Sequence, residues 1–153
     1  MPSIEARLST LGITLPAATA PAANYVATRE VGSLLFVSGQ LPMEDGAVAV
    51  TGQLGADVSD EDGVRAARIC AVNILAQAKA ALGDLDRIVS CVKLGGFVNC
   101  VAGYGGQPSI MNGASDLIAE VMGESGRHSR FAVGAPGLPF NAAVEVEAIF
   151  EIR

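Results

Sequence analysis

The apolar positions of this chain follow two rhythms. From Ser59 to Leu82, Val64, Ala67, Ala71, Ile74, Leu75, Ala78 and Leu82 recur at helical spacing and share one face. Ser59 is placed to cap that helix, Asp60, Glu61 and Asp62 suit its positive end, and Gly83 stops it. Ser109 to Gly123 predicts a second helix, with Ile110, Leu117, Ile118, Val121 and Met122 as its apolar content. A short helix is expected over Ser3 to Leu11, capped by Ser3 and ended by Gly12. The other rhythm is alternation. It predicts a long strand from Arg87 to Val101, with a bulge or bend at Gly95-Gly96. Tyr25–Ala27 and Leu34–Ser38 read as a hairpin around Gly32-Ser33, and Asp45-Gly46 as a turn leading to Ala47–Val50. Two closing strands, Ser129–Gly134 and Ala142–Ile152, flank a Gly137-Leu138-Pro139 turn, and read as adjacent and antiparallel. In the last, Val144, Val146, Ala148, Phe150 and Ile152 point one way and Glu145, Glu147, Ile149 and Glu151 the other.

The order is strands, helix, strand, helix, strands. It predicts an α+β fold, a mixed sheet with two main helices on one face, as a single domain over residues 1–153. Residues 1–23 form an N-terminal helix and an Ala/Pro/Thr-rich extended arm. Two helices cover one face of such a sheet. The apolar content of the chain implies that another subunit covers the second face, so a homo-oligomer is expected.

Half of the 153 residues are hydrophobic and 17% are charged, enough for a real core. The formal charge of −6, with no Lys/Arg cluster, disfavours a nucleic-acid surface. Cys70, Cys91 and Cys100 are odd in number and form no CxxC pair, which predicts small buried hydrophobes in a reducing compartment. His128 is the single histidine, so a two-histidine zinc site is excluded and a Ser-His-Asp reading is weak. No cofactor or metal is implied. No apolar run approaches the ~18 residues of a membrane span. The start Met1-Pro2-Ser3-Ile4-Glu5 lacks the features of a secretory signal, so a cytoplasmic protein is expected.

Candidate chemistry lies in the closing strands. Arg130 offers a permanently charged, planar fork for a carboxylate, and Glu145, 15 positions on, offers a carboxylate to direct water. Spacing alone leaves alternatives open. Arg130 could instead be salt-bridged to Glu145 or Glu147, and Glu145 is not separable from Glu147 on a solvated strand face.

Several segments in order resemble the RidA/YjgF family, also called the L-PSP endoribonuclease family. Phe36-Val37-Ser38-Gly39-Gln40-Leu41-Pro42 is similar to its "SGQ-P" segment. The helix after Ser59, with Asn73 in its middle, resembles its first helix, and Asp86–Lys93 resembles a family strand. Ser129-Arg130, Gly137-Leu138-Pro139 and Val144-Glu145-Val146-Glu147-Ala148 resemble its C-terminal signature. The resemblance runs from about Thr19 to the end. Ser3–Gly12 and the arm look like an addition, suggesting a longer branch.

The resemblance implies a chorismate-mutase-like fold, a homotrimer with clefts between subunits, and hydrolysis of enamine or imine intermediates, 2-imino acids going to 2-keto acids and ammonia. It implies Arg130 as the carboxylate-binding residue and Glu145 as the group that handles water. Tyr25, Ser38, Gly39 and Asn112 are implied to line the substrate site. Ala132 stands where many deaminating members carry cysteine, leaving a backbone carbonyl to orient water. Phe131 follows the arginine in place of a small polar residue. His128 has no matching role and reads as a rim residue. A trimer that binds small carboxylates without turnover is the alternative, and an endoribonuclease is a third reading that charge and the lone histidine disfavour.

Overall fold

In a computed structural model of the protein, residues 2–153 are described; Met1, part of the start read above, lies outside them. Helix α1 spans Ile4–Thr10, with Ser3 Oγ accepting the Ala6 amide at 3.1 Å. Ile4 and Leu8 are buried, while Leu11, expected on the same face, is largely exposed. An ion pair between Glu5 and Lys79 ties α1 to the long helix α2, Asp60–Leu82. That helix keeps its expected cap, since Ser59 Oγ accepts the Asp62 amide. Its face of alanines lets it lie close against the sheet. Buried Asn73 donates through Nδ2 to the carbonyls of Leu41 (3.1 Å) and Met43 (3.0 Å), satisfying backbone that leaves the sheet there.

Strands β1 (Thr28–Val31), β2 (Leu34–Gln40), β5 (Ile88–Asn99), β6 (Ser129–Ala135) and β7 (Val144–Ile152) form one mixed sheet in the order β1-β2-β7-β5-β6. A separate ribbon pairs β3 (Met43–Glu44) with β4 (Ala47–Val48), shorter than the Ala47–Val50 strand expected. Helix α3 spans Gln107–Met122, starting earlier than Ser109 because Pro108 fits its first turn. It links β5 to β6 in parallel, as a helical crossover does.

Here the sheet departs from the reading of two adjacent closing strands. β7 does not pair with β6. It enters between β2 and β5, antiparallel to both, and β5 separates it from β6. The parallel β5–α3–β6 unit already fills one side of β5, and the open side takes β7. The first hairpin also shifts. Tyr25–Ala27 is not a strand, because the Gly32-Ser33 turn pairs Val31 with Leu34 and sets the register back through Thr28↔Val37. Nor do Gly95 and Gly96 form a bulge. The register slips between Ile88 and Ser90 and between Cys91 and Lys93, while both glycines stay in the ladder. They are needed for space: a Cβ on Gly95 would meet the Phe131 ring and Glu147, and one on Gly96 would meet Met111.

The core lies between α2, α3 and the sheet face bearing Leu35, Leu94, Val146 and Phe150. Cys70, Cys91 and Cys100 are all buried and unpaired. The opposite face carries Glu145, Glu147 and Ile149 of β7 with Phe36, Phe97, Phe131 and Val133. Phe36, Phe97 and Val133 are each about two-fifths exposed. Phe97 and Phe131 meet edge to face at 5.3 Å.

The α2–α3 crossing is tight at Gly113, where a Cβ would strike the backbone carbonyl of Val64. Gly113→Ala therefore forces the helices apart and is expected to cost about 1–3 kcal/mol by denaturant unfolding. Gly105→Ala, at a position with open space around it, serves as the control and should leave the midpoint nearly unchanged.

Candidate active site

Arg130 sits near the start of the edge strand β6, level with Leu94 of β5, and both face the helices. Its Nη1 donates to Asn112 Oδ1 and to Ser115 Oγ, both at 3.0 Å, and its Nη2 donates to the Pro108 carbonyl at 3.0 Å. All three acceptors belong to α3. Asn112 and Ser115 are one helical turn apart, so they present side by side to the strand. Among the described residues the guanidinium forms no ion pair, so the alternative of a salt bridge to Glu145 or Glu147 is not realised. Two N–H groups, on Nε and Nη2, remain unused by these residues. A planar carboxylate takes such donors on neighbouring nitrogens as a pair.

Ser115 and His128 extend this cluster. His128 Nε2 lies 2.8 Å from Ser115 Oγ, and Nδ1 lies 2.6 Å from the Gly126 carbonyl. The ring is half-buried, so His128 belongs to the arginine's surroundings rather than to the rim. Sequence reading passed over Ser115, although its place three residues after Asn112 on a helix was the available signal.

Glu145 occupies the other face of the sheet. It pairs across the ladder with Phe97, and its Oε1 lies against Gly39, where a Cβ would come within 2.6 Å of it. Half-burial pushes the Glu145 carboxyl above its ordinary value, and the neighbouring Glu147 charge pushes it the same way. Burial thus distinguishes Glu145 from the exposed Glu147, which strand alternation could not do.

The Ser38 hydroxyl is engaged with main chain: Oγ donates to the Val26 carbonyl at 2.8 Å, and the Ser38 amide donates to the Ala27 carbonyl. These bonds hold the chain just after the arm at the sheet edge. Gln77 Nε2 holds the arm further back, at the Thr19 carbonyl (2.7 Å). Between arm and sheet lies a cavity of about 370 Å³, lined by Thr19, Pro21, Tyr25, Gly39, Met43 and Phe140 among others. Tyr25 is half exposed at its edge. Ala132 pairs with Gly96 and packs beside the core on the helix side of β6.

The predicted residues therefore fall into two groups within one chain. Arg130, Asn112 and Ala132 stand together at the β6–α3 edge. Glu145 stands against Gly39 where β7 meets β2, Gly39 and Tyr25 line the arm cavity, and Ser38 lies next to Gly39 on β2.

Residues 5–152 match the family described as "YjgF/chorismate_mutase-like, putative endoribonuclease". The chain belongs to the YjgF/RidA family. It is 53% identical over 151 residues to Protein TCP17 of Trypanosoma cruzi, covering 98% of this chain and 94% of that protein. A solved protein of unknown function from Agrobacterium tumefaciens is 58% identical, with a TM-score of 0.92 over 98% of this chain and 92% of its own. A structure from Shewanella oneidensis described as "a putative endoribonuclease" is 38% identical, with a TM-score of 0.96 over 99% of this chain and 100% of its own. This YjgF/RidA chain thus shares its mixed sheet and covering helices along nearly its whole length, α1 and arm included. The α1–arm segment is common to these relatives.

A raised carboxyl changes how stability depends on pH. The folded state holds the Glu145 proton more tightly than the unfolded chain does. The destabilisation is therefore absent below the ordinary carboxyl range and grows as pH rises through the raised value. Glu145→Gln removes it. The variant should melt higher than wild type at about pH 8, and the gap should close towards about pH 4; thermal melts across that range read the trend.

Proposed function

We propose that this protein hydrolyses 2-imino acids to 2-keto acids and ammonia, at a site assembled between two copies of the chain. The observation that carries the reading is the state of Arg130. Its guanidinium is fixed by three bonds to α3 and retains two donors for a carboxylate. The groups for the second half of the reaction lie on the opposite face of the sheet, with β5 between them and the same chain's Arg130. The open face supports the assembly, since Phe36, Phe97 and Val133 are exposed on it in a single chain. Covering them with another copy is the expected gain of a trimer.

In this reading Arg130 of one copy holds the substrate carboxylate, and Asn112 keeps the guanidinium in place. Glu145 of the next copy accepts a proton from a water as its oxygen bonds to C2 and the C=N π electrons move to nitrogen. Glu145 returns that proton to nitrogen, giving a carbinolamine, then takes the proton of the new C2 hydroxyl and hands it to nitrogen; the O–H electrons form the carbonyl of the 2-keto acid as the C–N bond breaks and ammonia leaves. A carboxylate raised above its ordinary range is the better base for this step. Gly39 matters because any side chain there would push Glu145 aside.

Binding without turnover is the competing reading, motivated by Ala132, which brings no reactive side chain. The endoribonuclease reading lacks a cationic track. The formal charge is −6, and Arg65, Arg68, Lys79 and Arg127 are each paired with a carboxylate.

The decisive assay generates imines with a 2-amino-acid oxidase and follows their decay. Wild type should accelerate it, and Arg130→Ala should lower kcat/KM by about 10- to 100-fold through loss of charge-assisted bonds. Glu145→Gln should lower kcat by about 10²- to 10⁴-fold with KM little changed. No acceleration by wild type, or full activity in Arg130→Ala, sinks the reading. Mixing the two impaired variants and refolding them together should raise the activity above that of either alone, because mixed assemblies hold some sites with both intact residues. An absence of recovery refutes the shared site.

A further inference from the structure

We propose that Ser115 and His128 are positioning residues that set the plane of the Arg130 guanidinium through a one-way hydrogen-bond relay. The role rests on the reading of Arg130 as the carboxylate holder. The direction of the relay follows from chemistry at its ends. The Gly126 carbonyl only accepts, so His128 Nδ1, 2.6 Å away, carries the proton and donates. In the neutral ring Nε2 is then the acceptor, and it lies 2.8 Å from Ser115 Oγ. Arginine only donates, so Ser115 Oγ accepts from Arg130 Nη1 at 3.0 Å, and its single hydrogen is left for Nε2. Each group is used in one sense, with no donor facing a donor.

The relay does something Asn112 alone does not. One bond from Nη1 to Asn112 Oδ1 leaves the guanidinium able to swing about that contact. The Ser115 bond on the same nitrogen and the Pro108 carbonyl on Nη2 add two further points. A serine hydroxyl rotates freely by itself. Pinned by His128 Nε2, its lone pairs stay turned towards the arginine. His128 in turn is anchored to main chain at the buried Gly126, in the short turn (Gly123–Gly126) after α3. Helix end and strand start are thereby joined to the arginine in one connected chain of bonds.

Because His128 is the single histidine, its ring nitrogens give unambiguous NMR signals. Wild type should show a protonated Nδ1 and an accepting Nε2, and Ser115→Ala should shift the Nε2 signal towards that of an unbonded nitrogen. A ring protonated at Nε2, or signals unmoved by Ser115→Ala, overturns the relay. In the imine assay Ser115→Ala should raise KM about 2- to 10-fold with kcat nearly unchanged, the size of one lost hydrogen bond. Ser115→Thr, which keeps the hydroxyl, should restore it. His128→Phe should raise KM in the wild-type background and leave it unchanged in Ser115→Ala, since His128 acts through Ser115. His128→Gln replaces it if His128→Phe does not fold. Independent, multiplying effects, or a wild-type KM in Ser115→Ala, refute the positioning role. Should wild type show no turnover, the proposed reaction fails. The same series read as Kd for 2-oxobutanoate by calorimetry then judges the relay, and absence of binding overturns both.

Discussion

The double pairing of β5 governs the rest of the structure. This twelve-residue strand bonds in parallel to β6 on one side and antiparallel to β7 on the other. Once α3 has carried the chain across to β6, the far side of β5 stays open, and the last strand enters there beside β2. That placement separates Arg130 from Glu145 by a strand and puts them on opposite faces. It also explains the glycine pair at the strand's centre. Gly95 gives room to Phe131 and Glu147 on the open face, and Gly96 gives room to Met111 on the helix face. A strand crowded from both sides and both edges leaves no space for side chains there.

Much of the fold was legible because local rules set it. Ser3 and Ser59 cap their helices as their types suggest, and the apolar stripe of α2 is the buried one. The α+β order and the covered face followed from periodicity. Strand partners were not legible in the same way, because pairing depends on contacts far apart in the chain. The Gly/Pro segment before β7 looked like a hairpin turn, yet it spans a strand's width rather than reversing onto a neighbour. The Tyr25 strand failed for a more local reason. Counting pairs back from the Gly32-Ser33 turn ends the ladder at Thr28, and only the Ala27 carbonyl continues it.

The candidate site was legible in its residues but not in its arrangement. Arg130 and Asn112 were each singled out, and they share a bond. Ser115 escaped notice, and His128 read as a rim residue, because a helix face meets a strand start only after the crossover is built. Glu145 and Glu147 are equal in alternation. What separates them is the burial that Gly39 permits, a difference no period-two pattern contains.

The arm is gripped through its main chain. Gln77 takes the carbonyl of Thr19, and Ser38 takes those of Val26 and Ala27 just after it. None of these bonds involves an arm side chain. Beyond Leu15, whose side chain packs against the core, these bonds ask little of the arm's side chains, while the wall it presents to the cavity is made of them. Such a segment behaves like a fixed rail with exchangeable lining. Sequence drift there can reshape the chamber beside Gly39 without loosening the scaffold that holds Glu145.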